Sequence, residues 1–451
     1  MLSWLNFYKK SLLLALVAVI SYVLFAYKIV RTDYTQLIAL YTLLFVASFY
    51  LLKLNKNNLS FLVVIAVVFR LLFLFAIPNL SQDFYRFIWD GRMILEGFNP
   101  YLFTPESFIL KGEFPVAQAQ ELYAGMGTLN GSHFTNYPPI NQLCFVIAGL
   151  FAGKSIVGSA LVMRLLIILA DVGIFYFGTK LLKNLKLPLY NIFFYFLNPF
   201  IIIELTGNLH FEAVMLFFVV WSLYLLHKNK WQLAAVIFAF SVSVKLIPLL
   251  FLPLFFQKLG FKKSVGFYGV VGVVNVLLFL PFISSEFIIN YTETVGLWFQ
   301  NFEFNASIYY IAREIGYLFR GYNEIAVIGK ILPLVVIIFI VIITFFRKNK
   351  TTIELITAML FGLSFYYFTS TTVHPWYIST LLLLSVFTKY KFPLVWSFII
   401  IISYLAYANS NNTENFWIIF IEYLVVYGVL ICELFQQKRT VKSCPVIYLK
   451  H

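Results

Sequence analysis

The stretch KKSLLLALVAVISYVLFAYKIV, Lys9–Val30, decides the class of the fold. Two lysines precede an apolar run of about twenty residues, the length an α-helix needs to cross a bilayer core roughly 30 Å thick. A basic pair at one end of such a run marks the cytoplasmic side. The run is too long for a signal-peptide core and has no small-residue cleavage site, so it reads as a retained first helix.

The same pattern continues outward from it. Apolar runs follow at 36–52 and 59–77, separated by Lys53 and Lys56. Over all 451 residues the chain is 61% hydrophobic, 20% aromatic and 12% charged, with a mean hydropathy of +0.88, which excludes a soluble domain. The net charge of +14 sits in short Lys/Arg clusters between apolar runs, as cytoplasmic loop charge does, and this argues against nucleic acid as a partner. Cys144, Cys432 and Cys444 have neither metal-ligand spacing nor an even disulfide framework.

Charge bookkeeping then gives a topology. Residues 79–138 emerge as a first outer loop, and 139–152, apolar but too short to cross, reads as a re-entrant helix. Spans are expected at 157–182, 189–205 and 211–227. The segment 231–257 passes as two short helices with a turn near Lys245 and Pro248. A span at 264–283 leads into a second outer loop, 284–323, whose Glu286, Glu293 and Glu303 read as solvated charges. Runs at 325–346, 353–371, 376–388, 393–408 and 416–435 follow. The expectation is an all-α polytopic membrane protein, one transmembrane domain over 1–451 with about 12–14 transmembrane helices together with re-entrant or interfacial ones, and cytoplasmic termini.

The longest polar and aromatic break is SQDFYRFIWDGRMILEGFNPY, Ser81–Tyr101. Read as a helix ending at Gly97, it sets Asp83, Arg86 and Asp90 on one face. The topology brings further polar residues to the same side as candidate substrate contacts: Arg92, Tyr137 with Pro138 and Pro139, Asn208, His210 and Glu212, Lys245, and His374 ahead of Pro375, Trp376 and Tyr377. Ionisable groups at membrane depth are costly and therefore functional candidates. A carboxylate, several cations and aromatic faces beside a lipid groove suit sugar transfer from a lipid phosphate. An aspartate can take the acceptor's proton, and Lys, Arg or His can offset the departing phosphate's charge.

The run DFYRFIWDGR, then GFNPY, then Tyr137-Pro138-Pro139, resembles the first outer loop of multi-pass GT-C glycosyltransferases, bacterial mannosyltransferase-like proteins and glycosylphosphatidylinositol first-mannose transferases among them. ELTGNLHFE (204–212), VKLIP (244–248) and HPWY (374–377) are similar to landmarks of the same bacterial proteins. The resemblance covers about 59–390. It implies a GT-C-like fold and an inverting transferase. The donor would be a polyprenyl-phosphate-linked hexose, mannose by resemblance, the acceptor a glycan or glycolipid, and Asp83 the catalytic base. Two departures stand out. The eukaryotic relatives carry Asp-x-Asp where this chain has Ser81-Gln82-Asp83, which leaves divalent metal use open, and two helices precede the one that leads into the loop. No cofactor is otherwise called for.

Simpler readings exist for each residue. Asp83 suits a first-turn acid stabilising its helix, and Arg86 and Asp90, at i and i+4, can pair with each other. Arg92 fits an interfacial arginine and Trp376 and Tyr377 an aromatic belt. His210 suits a solvated turn and Glu212 a first turn, Lys245 can snorkel, and Tyr137 leads an extended Pro-Pro segment. The residues favour an enzyme in a bacterial plasma (inner) membrane, its active site on the outer face. A transporter or flippase, or a polymerase or ligase, for lipid-linked glycans is the alternative; two related halves would favour the transporter, and none is evident.

Overall fold

A computed structural model describes residues 2–300, 302–409 and 411–442, so Cys444 lies outside the described residues. Among the described residues the regular structure is all helical apart from one parallel bridge between Phe304 and Thr372. α1 (Leu2–Tyr27) and α2 (Tyr34–Leu54) pair as a hairpin, the second capped by Asp33, whose Oδ1 accepts from the Gln36 N–H. α3 (Leu59–Leu71) then ends early, and a series of turns carries the chain to α4 (Asp83–Leu95). α5 (Ala119–Gly131), α6 (Pro139–Ala152) and α7 (Ile156–Asn184) follow. α6 lies between α4 and α7, packed on both. Phe87 stacks on Phe145 at 4.6 Å, and Gly91 lets the two backbones meet, since a Cβ there would lie 2.4 Å from the Phe145 carbonyl oxygen.

The middle of the chain is broken where the sequence carries proline. The pair Leu189–Phe196 and Pro199–Gly207 bends by 44°, with Asn198 capping the second half. α8 (Glu212–His227) and α9 (Trp231–Val244) form a hairpin, and α9 stops at Lys245, whose backbone is extended. A second helical segment, Ile247–Leu259, starts at once with Pro248 in its first turn, so 231–257 is divided where the sequence analysis placed the turn. α10 (Phe261–Phe279), α11 (Ser285–Gln300), α12 (Ile308–Arg320), α13 (Ile325–Phe345) and α14 (Thr352–Thr369) come next. α15 (Ile378–Val386), α16 (Phe392–Ile399) and α17 (Phe416–Lys442) complete the chain.

By length and composition seven helices among the described residues can cross a membrane, or eight if the bent pair counts as one span. Seven more are apolar but only 10–17 residues long. The fold is therefore the expected all-α polytopic membrane protein, and the count of about 12–14 separates into long spans and short helices. The shortfall arises at breaks such as the turns after Leu71 and the extended Lys245, where one apolar run becomes a short helix and a turn.

Breaks leave carbonyls without helical partners, and inside an apolar body these must find donors. Two arginines supply them. Arg164, fully buried on α7, donates from Nε to the Thr206 carbonyl (2.9 Å), from Nη2 to Gly207 (3.0 Å) and from Nη1 to Leu74 (2.9 Å). It ties the turns after α3 to the broken helix, the two segments that lead to Asp83 and to His210. Arg70 pairs with Asp171 at 2.8 Å, both with no exposed side-chain surface, and donates to the Phe196 carbonyl at 2.7 Å; Tyr195 donates to the same aspartate at 3.0 Å.

Arg164→Leu is expected to lower stability by about 3 kcal/mol or more, because three buried carbonyls lose their donor. SDS titration of the purified protein in mixed micelles measures this. Arg164→Lys should recover only part of the loss, since an ammonium lacks the planar fork that reaches three acceptors.

Candidate functional site

The start of α4 sets the site. Gly97 has φ +82, as a residue just past a helix end requires, and Asp83 opens the helix with its backbone N–H on Ser81 Oγ at 3.3 Å. Asp83 is partly buried, and its Oδ1 accepts from Asn130 Nδ2 at 3.2 Å. Burial pushes its pKa above the usual carboxylate range. The Lys245 ammonium and the Asn130 bond pull it back, Glu212 pushes up again and Arg31 pulls down. Three charges and one amide, from four separate segments, therefore act on one carboxylate.

Lys245, at the break after α9, forms an ion pair with Glu212 at the start of α8. Glu212 is nearly fully buried, and its second oxygen, Oε2, meets no hydrogen-bond partner among the described residues. The Ile140 N–H donates to Ser243 Oγ at 3.2 Å, so the first turn of α6 touches the last turn of α9 beside Lys245.

His210 and His374 come together around Trp376. The rings of His210 and Trp376 stack at 3.8 Å, and those of Trp376 and His374 at 4.5 Å and 7°. The column continues through Phe304, 5.1 Å from His374, and Tyr407, 5.7 Å from Phe304, to the Arg31 guanidinium, 4.3 Å above the Tyr407 ring. Burial, then Lys245, holds His374 down to about 3; burial, then Lys245, then His374, holds His210 well below its ordinary value. Both shifts favour the neutral imidazole, and His210 Nε2 and His374 Nδ1 have no hydrogen-bond partner among the described residues, the buried Glu204 Oε2 lying 4.0 Å from His210 Nε2. Neutral rings offer sugar hydroxyls both a donor and an acceptor.

The remaining expected residues sit around this cluster. Arg86 pairs with Asp90 at 2.7 Å, and its Nη1 donates to the carbonyls of Asn130 (2.6 Å) and His133 (2.8 Å). It therefore holds the residue that donates to Asp83. Asp90 Oδ2 accepts from Gln142 on α6 at 3.2 Å. Arg92 lies about 13 Å further along the helix axis than Asp83. It is buried and donates to the Ala117 carbonyl at 2.6 Å, so the interfacial reading gives way to a loop anchor. Tyr137 packs edge-on against Phe87 at 5.0 Å and takes a bond from Tyr101 on its carbonyl at 2.6 Å; burial, then the Asp83 charge, pushes its hydroxyl well above the ordinary range. Trp376, expected in an aromatic belt, instead sits between two imidazoles.

Asn130, Arg31, Phe304 and Tyr407 escaped the sequence reading. Asn130 has no neighbouring motif. Arg31 follows directly on the first apolar run, at the end opposite Lys9 and Lys10, and that position was the available signal. Among the described residues no group of three or more His, Cys, Asp or Glu side chains is arranged to hold a metal ion.

Residues 8–259 match the family described as alpha-(1->6)-mannopyranosyltransferase, N-terminal domain. Over 198 residues, 43% of this chain and 38% of the relative, the sequence is 25% identical to alpha-(1->6)-mannopyranosyltransferase A of Corynebacterium glutamicum. Over 105 residues, 22% of this chain and 23% of the relative, it is 35% identical to the probable Dol-P-Man:Man(5)GlcNAc(2)-PP-Dol alpha-1,3-mannosyltransferase of Dictyostelium discoideum. Each similarity thus spans well under half the length of that relative. The family match takes in Asp83, Arg86, Asp90, Arg92, Tyr137, His210, Glu212 and Lys245 and stops short of His374. With more than half of its residues in that match, this chain belongs to the alpha-(1->6)-mannopyranosyltransferase family.

Proposed function

We propose that the protein is a glycosyltransferase moving a mannosyl group from a polyprenyl-phosphate-linked donor to a glycan or glycolipid hydroxyl on the outer face of a bacterial plasma membrane, with inversion at the anomeric carbon. Asp83 takes the proton of the acceptor hydroxyl as that oxygen attacks the anomeric carbon. The bond from that carbon to the phosphate oxygen breaks, and the phosphate leaves with the electron pair. Lys245, with one N–H on Glu212 and two more to offer, offsets the charge on the departing phosphate. His210, His374 and Glu212 Oε2 supply unpaired polar atoms for sugar hydroxyls, and the Trp376 face lies between the two imidazoles. Arg86, Asp90 and Arg92 hold the loops that set Asp83, and α6 dips into the membrane beside them as a re-entrant wall.

The observation that carries this reading is the Lys245–Glu212 ion pair, from two segments far apart in sequence, placed so that both charges act on Asp83, together with the stack of His210, Trp376 and His374. Both names among the relatives are mannosyltransferases, which supports mannose as the sugar.

Asp83→Asn should lower kcat by about 10²–10⁴-fold, the usual share of a general base, while the protein still inserts and folds. The assay follows radiolabelled mannose from polyprenyl-phosphate-mannose to acceptor in liposomes holding only this protein. Full activity in the variant would remove Asp83 from the base role, and movement of labelled donor across the bilayer without transfer would replace the enzyme by a flippase.

The pH profile follows from the direction of the Asp83 shift. A base must be ionised, and its pKa is raised, so activity should fall on acidification through a limb above the ordinary carboxylate range near 4. Lys245→Met removes the largest charge that favours ionisation. The same assay should show that limb at still higher pH and kcat about 10²-fold lower.

A further inference from the structure

α12 has two contrasting sides. Ile308, Ile311, Ile315, Leu318 and Phe319 fall within about 100° of helix circumference, and all are exposed, Leu318 and Phe319 by 85% and 82%. The opposite side is tied to the protein. Tyr309 and Tyr310 are buried, their hydroxyls on Glu303 and Glu414, and Arg313 pairs with Glu303 at 2.6 Å. Glu303 also accepts from Asn323 at 2.6 Å, so it is a structural anchor where the sequence suggested a solvated charge.

These anchors hold a short strap, residues 302–307, against the site. Phe304 N–H donates to the Thr371 carbonyl at 3.1 Å and the Val373 N–H to the Phe304 carbonyl at 2.8 Å, immediately before His374. Asn305 N–H donates to Glu414 at 2.6 Å, and its side chain to the buried Glu422 at 3.1 Å.

We propose that α12 lies in the headgroup and acyl-chain boundary of the bilayer on the site's side, and that this seating fixes the strap that positions His374. With 13 residues, about 20 Å, α12 is too short to cross. It ends at the Gly321 cap just before the span α13 begins at Ile325, and Tyr310 packs edge-on against Phe416 at 5.4 Å, the first residue of the span α17. Two spans thus start beside it. Their outward residues, Ile331 and Leu334 on α13 and Trp417 and Phe420 on α17, are exposed and apolar, so the stripe on α12 continues a surface that lipid already covers. An apolar stripe opposite Arg313, Tyr317 and Arg320 is the make-up of an in-plane interfacial helix. The seating stands apart from the catalytic reading, and the role of the strap is read from amide exchange, so neither depends on the mannosyltransferase assay.

The test uses the full chain in lipid nanodiscs with Cys432 and Cys444 replaced by Ser. A nitroxide is placed at Leu318→Cys or, on the polar side, at Glu314→Cys. Accessibility to oxygen against a water-soluble nickel chelate should place the Leu318 label about 5–10 Å into the boundary and leave the Glu314 label in water. Equal exposure of both labels to the chelate overturns the seating. So does dipolar broadening between Leu318 labels, which would mean that a second copy covers the stripe. In the double variant Leu318→Glu, Phe319→Glu, amide exchange at Phe304 and Val373 should quicken by at least tenfold. Unchanged exchange there overturns the coupling to His374.

Discussion

A polar backbone broken inside an apolar body needs donors, and guanidinium groups meet that need throughout this protein. Arg164 closes the carbonyls of Leu74, Thr206 and Gly207, Arg70 that of Phe196, Arg86 those of Asn130 and His133, and Arg92 that of Ala117. Each binds a carbonyl from a segment distant in sequence from its own helix, so each ties two separate segments together. The site lies where these joined breaks converge. Irregular backbone at membrane depth is tolerated only where protein or a lined cavity surrounds it, and the same irregularity brings the Asp83, His210, Lys245 and His374 segments together.

The cations divide by chemistry. Arginine, with five fixed donors, serves carbonyls, whereas the candidate site's cation is a lysine at the end of a short helix, its side chain about a quarter exposed and its ammonium only partly used by Glu212. In the proposed reading, a compact ammonium with N–H groups to spare suits a phosphate that must bind and then leave. Arg31 is the exception, a guanidinium held by the Tyr407 ring face, and it too contributes to the field at Asp83. Stacking at both ends of the ring column, on His210 and on Arg31, holds planar groups in register without using their polar atoms.

Much of this was legible in the residues. The runs 157–182, 325–346 and 353–371 became Ile156–Asn184, Ile325–Phe345 and Thr352–Thr369, because long apolar stretches between basic clusters have no alternative to a helix in lipid. The Lys245 break was legible from a lysine and a proline in one apolar segment. The run 59–77 was not, since it shows no proline before Pro78 and only the structure ends α3 at Leu71. Asp83, Glu212, Lys245 and the two histidines drew attention as charges or imidazoles at membrane edges. Asn130 and Phe304 carry no such mark, and their roles come from tertiary contacts alone. Arg70, Arg164 and Asp171 were visible as charges inside apolar runs, but their spacing of 94 and 101 residues concealed that they close backbone breaks rather than bind ligand.

In the proposed reading, the arrangement also accounts for chemistry at a membrane edge. A carboxylate fully enclosed in an apolar body would be too costly to ionise, and one fully in water would be an ordinary weak base. Asp83 lies between these limits: burial raises its basicity, while Lys245 and Asn130 keep the ionised form within reach. The same two residues come from α5 and from the end of α9, elements held by Arg86 and by the contact of α6 with Ser243. If Asp83 acts as the proposed base, its strength is set by how the broken helices are tied together. A change in the scaffold that leaves Asp83 in place but loosens Asn130 or Lys245 alters the chemistry as directly as a change at the carboxylate itself.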